Sequence, residues 1–163
     1  MADSYDLIVL GAGPAGENAA ITAAFLGKRV AVIERELVVG GACINTGTVP
    51  SKTLRETALA LSGFRSRDIY GVDLSLRAGV SIEDLLRHER AVKLSERDQI
   101  RSRLKRFGIE VLHGTASFVD ANTVRITRCD GEQLLAGKHI AIAVGSVPMR
   151  PAGIPFDHHR VHD

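Results

Sequence analysis

Tryptophan is absent from this sequence of 163 residues, and aromatic residues make up only 4% of it. Because aromatic side chains provide the stacking platforms for single-stranded nucleic acids, this scarcity argues against that class of binding protein. Neither sign of charge is in excess, since 21 Lys and Arg face 19 Asp and Glu, a formal net charge of +2. We therefore expect no dedicated surface for nucleic acid or for an anionic membrane.

Cysteine and long apolar runs are also scarce. The two cysteines, Cys43 and Cys129, are too few for the disulfide scaffold of a small secreted protein. The first residues lack the basic segment and apolar stretch of a signal peptide. No apolar run approaches the roughly 18–20 residues of a membrane span. The sequence therefore predicts a soluble cytoplasmic protein that does not enter the membrane.

What is present is ordinary globular composition, with 45% apolar and 25% charged residues in a chain of single-domain length. Short, wholly apolar runs at 7–10, 30–33 and 140–144 predict strands buried on both faces. An Ala-rich segment at 15–26, followed by Gly27, predicts a helix between the first two strands. Strand, helix and strand in this order form a βαβ unit with a parallel pair of strands.

Further helices are expected downstream. The Gly-rich residues 35–49 are expected to be irregular, a second helix is expected at 50–62, and an excursion without clear periodicity at 64–80. Ser81 and Asp84 form a capping-box-like start to a long third helix. Its apolar side is marked by Ile82, Leu85, Leu86, Ile100, Leu104 and Phe107. Its many basic residues fit either a polyanion patch or a solvated face, and the interspersed acidic residues favour the solvated face.

Three short strands are expected after this helix, at 109–112, 116–119 and 123–127, with a hairpin turn at 129–131. The apolar run at 140–144 then returns to the parallel sheet. The predicted fold class is therefore α/β, a Rossmann-like parallel sheet built on a βαβ unit, with a small antiparallel β meander.

The turn of the βαβ unit carries the motif G-x-G-x-x-G. Gly11 permits the tight turn, Gly13 permits a pyrophosphate to approach the backbone, and Gly16 permits the helix to pack close to the strand. Free backbone N–H groups and the helix dipole then favour phosphate charge. The motif lies between a predicted strand and a predicted helix, which is the context that a dinucleotide site requires.

Glu34 ends the second predicted strand. A carboxylate at this position accepts both ribose hydroxyls of an adenosine, and its negative charge disfavours a 2′-phosphate. The alternative is that Glu34 is simply a polar strand terminus, and the glycine motif favours the ribose role.

The stretch GGACINTGTVPSK at 40–52 resembles the flavin-proximal signature of the FAD-dependent pyridine nucleotide–disulfide oxidoreductases. In that signature two cysteines with four residues between them form a redox disulfide. Here Cys43 occupies the first position and Thr48 the second, and Cys129 lies in a distant predicted turn. A thiol–disulfide cycle therefore lacks its second sulfur.

The threonine variant is similar to the soluble pyridine nucleotide transhydrogenases of that family, which pass hydride between NADPH and NAD through FAD without a disulfide step. Two later turns extend the resemblance. Residues 114–118, GTASF, are similar to the family's turn near the adenine, and residues 143–148, AVGSVP, are similar to its A-T-G-S-x-P, with Val144 in place of Thr.

The resemblance implies FAD as cofactor and assigns most site residues around it. The pyrophosphate would contact Gly11, Gly13 and Gly16; the adenosine would contact Glu34, Arg35, Gly114 and Ala116; the route to the isoalloxazine would be lined by Gly40, Gly41 and Cys43; and Lys52 would lie near flavin N5. Thr48 would either hydrogen-bond the flavin or cap the second helix. The alternatives for Cys43 and Lys52 are a small buried filler and a solvated lysine.

No catalytic residue is assigned within the chain, and no metal site is expected. His158, His159 and His162 cluster near the end, but no supporting cysteine accompanies them. Because terminal residues usually fray, the cluster is interpreted as a tail rather than a metal site.

Family members are considerably longer than this chain. Residues 1–163 are therefore expected to be the N-terminal part of an FAD-binding domain, without the NAD(P)-binding and dimerisation domains. The resemblance implies a full-length homodimer with NADPH and NAD as substrates. Two alternatives stay open: part of a related dihydrolipoamide dehydrogenase-like reductase, and a non-enzymatic dinucleotide-binding module.

Overall fold

The computed structural model describes residues 3–65, 81–157 and 159–161. Six strands form one sheet in the order β3-β2-β1-β6-β5-β4. The strands are β1 Asp3–Leu10, β2 Val30–Glu34, β3 Glu110–His113, β4 Thr115–Phe118, β5 Thr123–Arg128 and β6 Gly131–Ile142. The helices are α1 Pro14–Phe25, α2 Gly41–Asn45, α3 Thr48–Arg65 and α4 Ile82–Arg106. The α/β fold class is as predicted.

The parallel half of the sheet contains the predicted βαβ unit. Strand β1 pairs in parallel with β2 on one side and with the end of β6 on the other, and β2 pairs in parallel with β3. Helix α1 crosses between β1 and β2, with Pro14 in its first turn and Gly27 at φ +75° after its end. Both residues stand where the sequence placed them.

The antiparallel half is the predicted meander of β4, β5 and β6. A two-residue turn at 129–130 joins β5 to β6, as predicted. Strand β6 is longer than expected, because residues 131–136 pair with β5 while residues 135–142 pair with β1. The apolar run predicted as a separate strand at 140–144 is therefore the end of one continuous strand that joins the meander to the parallel sheet.

The sheet folds back on itself at Gly114. Strands β3 and β4 stand at opposite edges of the sheet, yet only Gly114 separates them in the chain. Its φ is +155°, and its N–H donates to the carbonyl oxygen of Glu34 at 2.9 Å. A Cβ there would lie 2.5 Å from Cγ2 of Ile126. Glycine therefore lets the chain pass from one layer to the other beside the end of β2.

Two apolar cores cover the two faces of the parallel strands, which explains why those strands are apolar without alternation. On the helical side Val9 and Val32 pack with Ile100 and Leu104 of α4. On the meander side the packed residues are Tyr5, Ile8, Leu10, Ala31, Ile33, Val124, Ile126 and Leu135. Successive residues of β1 and β2 thus belong to opposite cores.

Helix α4 begins at the predicted capping box. The hydroxyl of Ser81 accepts the N–H of Asp84 at 3.2 Å, and the Asp84 carboxylate accepts the N–H of Ser81 at 3.0 Å. The hydrogen bond from the Ser81 backbone holds the pKa of Asp84 below its usual value.

The apolar side predicted for α4 is buried only in the C-terminal part of the helix. Ile100 and Leu104 are buried, whereas Ile82 and Phe107 are exposed because they lie at the helix ends, outside the helix-side core. The side chain of Leu85 lies outside the described part of the chain. Glu89 and Lys93, one turn apart on α4, form an ion pair at 2.7 Å, and Glu89 is buried.

Most predicted elements lie within one residue of the observed bounds at their start, and the largest differences around the glycine-rich segment concern α2 and α3. The segment 35–49 was expected to be irregular, but Gly40 and Gly41 adopt left-handed φ values and begin the single-turn helix α2. Helix α3 starts at Thr48 rather than at residue 50, and it continues to Arg65. The remainder of the excursion expected at 64–80 lies outside the described residues. Within the described ranges, no helix combines the length and apolarity that crossing a membrane requires.

Leu135 and Leu134 provide a matched test of the meander-side core. Leu135 is fully buried and Leu134 is 46% exposed. Leu135→Ala should lower the free energy of unfolding by about 2–5 kcal/mol, because it leaves a cavity between the two layers. Leu134→Ala should change it by less than about 1 kcal/mol. Urea unfolding measures both, and equal losses would contradict the assigned register of β6.

Candidate functional site

The glycine loop between β1 and α1 is held by close backbone contacts. Gly11 has φ +103°, and a Cβ there would lie 2.4 Å from the carbonyl oxygen of Ala143. A Cβ on Gly16 would lie 1.9 Å from the carbonyl oxygen of Gly11. Since neither distance admits a side chain, the packing of the chain itself requires both glycines.

Gly13 is different, because the protein's own packing does not require a glycine there. Its φ of −77° and ψ of 180° are extended values open to any residue. A Cβ would meet only the Cα of Gly41, at an ordinary contact distance of 3.7 Å. Gly13 is also the N-cap of α1, and no side chain caps it. The bare backbone thus stands at the positive end of a helix, where an anionic group is favoured.

The carboxylate of Glu34 lies against this loop. Its Oε2 accepts the N–H of Ala12 at 2.8 Å, its Oε1 accepts the N–H of Glu36 at 2.9 Å, and the residue is only 8% exposed. An ionised carboxylate has about four acceptor positions, so further donors can still bind. Glu34 is therefore fixed in the middle of the glycine loop.

A second glycine turn contacts the first. Gly40 and Gly41 have φ values of +100° and +57°, and the N–H of Gly40 donates to the carbonyl oxygen of Ala12 at 2.8 Å. A Cβ on Gly41 would lie 3.0 Å from the Cα of Gly13. The two turns therefore approach closely enough that the backbone at 40–41 forms one wall beside Gly13.

Asn45 and Arg97 are site residues that the sequence analysis missed. The Asn45 amide donates to the carbonyl oxygens of Gly41 at 2.8 Å and Val39 at 3.1 Å. Its Oδ1 accepts Nε–H of Arg97 from α4 at 2.7 Å. Asn45 lies within the 40–52 motif, but its partner Arg97 is 52 residues away. No local sequence pattern therefore predicts the contact.

The other residues of the 40–52 motif lie on α2 and at the start of α3. Cys43 is half-buried and packs against the helix-side core. Thr48 opens α3, Lys52 follows one turn later, and both are exposed. Cys129 is exposed in the hairpin turn, and both thiols are free. Cys43, Thr48 and Lys52 thus place a sulfur, a hydroxyl and an ammonium group on the two helices that follow the second glycine turn.

The residues assigned to the adenine side are brought together only in part. Arg35 and Gly114 line one open cavity of about 570 Å³ beside the ends of β2 and β3. The Arg35 side chain is exposed and pairs with Glu36 at 3.2 Å. Ala116 is half-buried and packs against the meander-side core instead. Cys129 also lines this cavity, which its place in the sequence did not predict.

The histidines at the end of the chain are described only in part. His158 and His162 lie outside the described residues. The backbone N–H groups of Val161, Arg160 and His159 donate to Asp157, and these hydrogen bonds lower the pKa of its carboxyl to about 2. Among the residues that are described, no three side chains of metal-ligating type come together.

Residues 5–163 match the family model described as pyridine nucleotide-disulphide oxidoreductase. The chain belongs to this family. The family resemblance drawn from the 40–52 motif is therefore confirmed.

Curated relatives include the soluble pyridine nucleotide transhydrogenases of Mycobacterium bovis (strain BCG / Pasteur 1173P2) and Colwellia psychrerythraea. Each is 40% identical to this chain over 161 residues, which is 98% of this chain and 34% of the relative. The chain thus spans about a third of the length of these family members. Their transhydrogenase character agrees with the similarity drawn from the Thr48 variant.

A solved structure from Escherichia coli shows the same fold. It is the Cu(II) complex of the HOCl-induced flavoprotein disulfide reductase RclA, with a TM-score of 0.77 and 27% identity. The superposition covers 92% of this chain and 30% of that chain. The fold described above therefore recurs in a flavoprotein.

Gly16 and Gly13 provide a test of the glycine loop without any cofactor. Gly16→Ala should lower the free energy of unfolding by about 1–3 kcal/mol or more, because its Cβ collides with backbone. Gly13→Ala should change it by less than about 1 kcal/mol, because the native φ and ψ suit alanine although alanine is a poorer N-cap than glycine. Urea unfolding of the cofactor-free chain distinguishes them, and a large loss in Gly13→Ala would contradict the assigned geometry.

Proposed function

We propose that this chain binds FAD across the glycine loop. The observation that carries the proposal is Gly13, a glycine that its own surroundings do not require, at the uncapped N-terminus of α1. The carboxylate of Glu34 is fixed beside it on Ala12. A bare backbone, a helix N-terminus and a ribose-binding carboxylate in contact are the parts of a dinucleotide site. Membership of the family and the likeness to a flavoprotein support FAD as the dinucleotide.

The residues present fit the adenosine diphosphate part of FAD. The N–H of Gly11 donates to Ile33, that of Ala12 donates to Glu34, and Pro14 has none. The backbone N–H groups of Gly13, Ala15 and Gly16 would therefore contact the pyrophosphate, and the remaining lone pairs of Glu34 would accept the ribose hydroxyls. Arg35 and the cavity edge at Gly114 would flank the adenine. The Ala116 side chain packs against the meander-side core, so this residue would contribute to the adenine side only through its small size.

Residues of the second glycine turn and of helices α2 and α3 would face the flavin ring. Gly40, Gly41 and Cys43 would line the path to it, and Lys52 would place a cation near its N5. When bound, FAD supplies the ability to accept and donate hydride. The Lys52 ammonium would stabilise the negative charge of the reduced ring. Thr48 would offer a hydroxyl where a disulfide-reducing enzyme needs a second sulfur.

We propose that the chain is the N-terminal part of an FAD domain, at residues 1–163, of a transhydrogenase that exchanges hydride between NADPH and NAD. A homodimeric parent in the cytoplasm belongs to the same proposal. The likeness to transhydrogenases along 98% of the chain supports this reaction over disulfide reduction. The free thiol of Cys43, with Thr48 at the partner position, supports it from the site itself.

Preference for FAD over NADP is the first test. The anionic Glu34 repels a 2′-phosphate and accepts ribose hydroxyls, so the chain should retain FAD and not NADP after desalting. Glu34→Gln should raise the Kd for FAD about tenfold, since an amide cannot accept at both oxygen positions. Glu83→Gln, at an exposed acid in the first turn of α4, is the control and should bind as the unsubstituted chain. Tighter retention of NADP than of FAD would refute the assignment.

Transhydrogenation by the 163 residues alone is the second test. Hydride transfer requires a nicotinamide held against the flavin, and the one G-x-G-x-x-G of this sequence is assigned to FAD. NADPH-dependent reduction of an NAD analogue should therefore not exceed that by free FAD. The Colwellia psychrerythraea transhydrogenase is the positive control. Turnover comparable to that relative would show that the glycine motif has been assigned to the wrong nucleotide.

A further inference from the structure

We infer that Arg97 of α4 is a positioning residue for the FAD site, which it sets through the side-chain amide of Asn45. The inference rests on the proposed function, because it concerns the turn that would border the FAD pyrophosphate. Arg97 touches neither the glycine loop nor Glu34 in any hydrogen bond of the described residues; its Nε–H donates to Asn45.

The Asn45 amide is used on both sides. Its nitrogen donates to the carbonyl oxygens of Val39 and Gly41, which flank Gly40, while its oxygen accepts Nε–H of Arg97. The reversed amide would turn NH₂ towards the Nε–H donor and its oxygen towards two carbonyl oxygens. All three contacts would then become repulsive. Arg97 therefore holds the amide in the same orientation that the two carbonyl oxygens require.

The amide in turn determines where the glycine turn lies. Val39 is buried and its neighbour Gly40 donates to the carbonyl oxygen of Ala12 at 2.8 Å. Gly41 is in backbone contact with Gly13. A shift of the 39–41 carbonyls consequently changes the space beside Gly13, where the pyrophosphate would bind. The path from Arg97 to that space consists of two hydrogen-bonded steps and one backbone contact.

Helix α4 does not depend on this contact for its own position. Ile100 and Leu104 are 2% and 1% exposed and anchor α4 in the helix-side core. Arg101, one turn beyond Arg97, lies 3.8 Å from Asp98 on the same helix. Arg97 differs from it because its partner lies on α2. Loss of the Arg97 donor should therefore make the turn at residues 39–41 more mobile while helix α4 stays packed in the core.

The test compares two substitutions of equal chain length, of which one keeps a donor at the position of Nε and the other does not. Glutamine places a nitrogen donor the same number of bonds from Cα as Nε of arginine, whereas methionine places a methyl group there. Arg97→Met should raise the Kd for FAD about tenfold, and Arg97→Gln should stay within about threefold of the unsubstituted chain. Arg97→Lys keeps the charge but moves the donor one atom outward, so it should bind as weakly as Arg97→Met.

A second readout needs no cofactor. In the FAD-free chain, amide hydrogen exchange over residues 39–45 should be faster in Arg97→Met and Arg97→Lys than in Arg97→Gln. Arg101→Met is the control on the same helix and should change neither exchange there nor the Kd. Fluorescence quenching of FAD gives the Kd, and the thermal midpoint shows whether each variant is folded.

The outcomes separate the inference from the function on which it rests. The expected order, with Gln near the unsubstituted chain and Met and Lys both weaker, supports positioning through the donor. Equal weakening by Met and Gln with normal binding by Lys would assign the effect to charge and overturn the inference. Normal FAD binding by all three variants would overturn the inference about Arg97 and leave the proposed function intact. Failure of the unsubstituted chain to bind FAD would overturn the proposed function as well.

Discussion

The structure depends on the backbone contact between the first strand and the helix that follows it. Gly16 lies so close to the carbonyl oxygen of Gly11 that a side chain on Gly16 would stand 1.9 Å from that oxygen. Because no Cβ intervenes, β1 can turn directly into α1 and still pack against it. This turn brings Ala12 within hydrogen-bonding distance of Glu34 and Gly40. The whole candidate site is assembled around those few backbone atoms.

The two cores hold this arrangement from opposite faces of the sheet. Helices α1 and α4 cover one face and the meander covers the other, so all five residues of β2 and residues 8–10 of β1 are buried. In sheets of this type, ligands bind at the carboxyl ends of the strands. The glycine loop, Glu34 and Gly114 all lie at those ends. The carboxyl ends of the parallel strands are therefore available for the dinucleotide that we propose.

Those features that depend on local chemistry could be predicted from the sequence. The runs at 7–10 and 30–33 are apolar because both faces of their strands are covered, and the capping box of Ser81 and Asp84 is closed within four residues. Features that depend on tertiary contact could not be predicted. Helix α2 begins in a Gly-rich segment, and the Asn45–Arg97 contact joins residues 52 positions apart. The burial of Glu34 also required the folded structure.

The central claim is that Gly13 is kept bare for a ligand rather than for the fold. Titration of FAD into Gly13→Ala, beside the unsubstituted chain, tests it most directly. We expect the added methyl group to block approach of the pyrophosphate, so the Kd for FAD should rise at least about tenfold while the free energy of unfolding changes by less than about 1 kcal/mol. Equal FAD affinity of the two chains would contradict it.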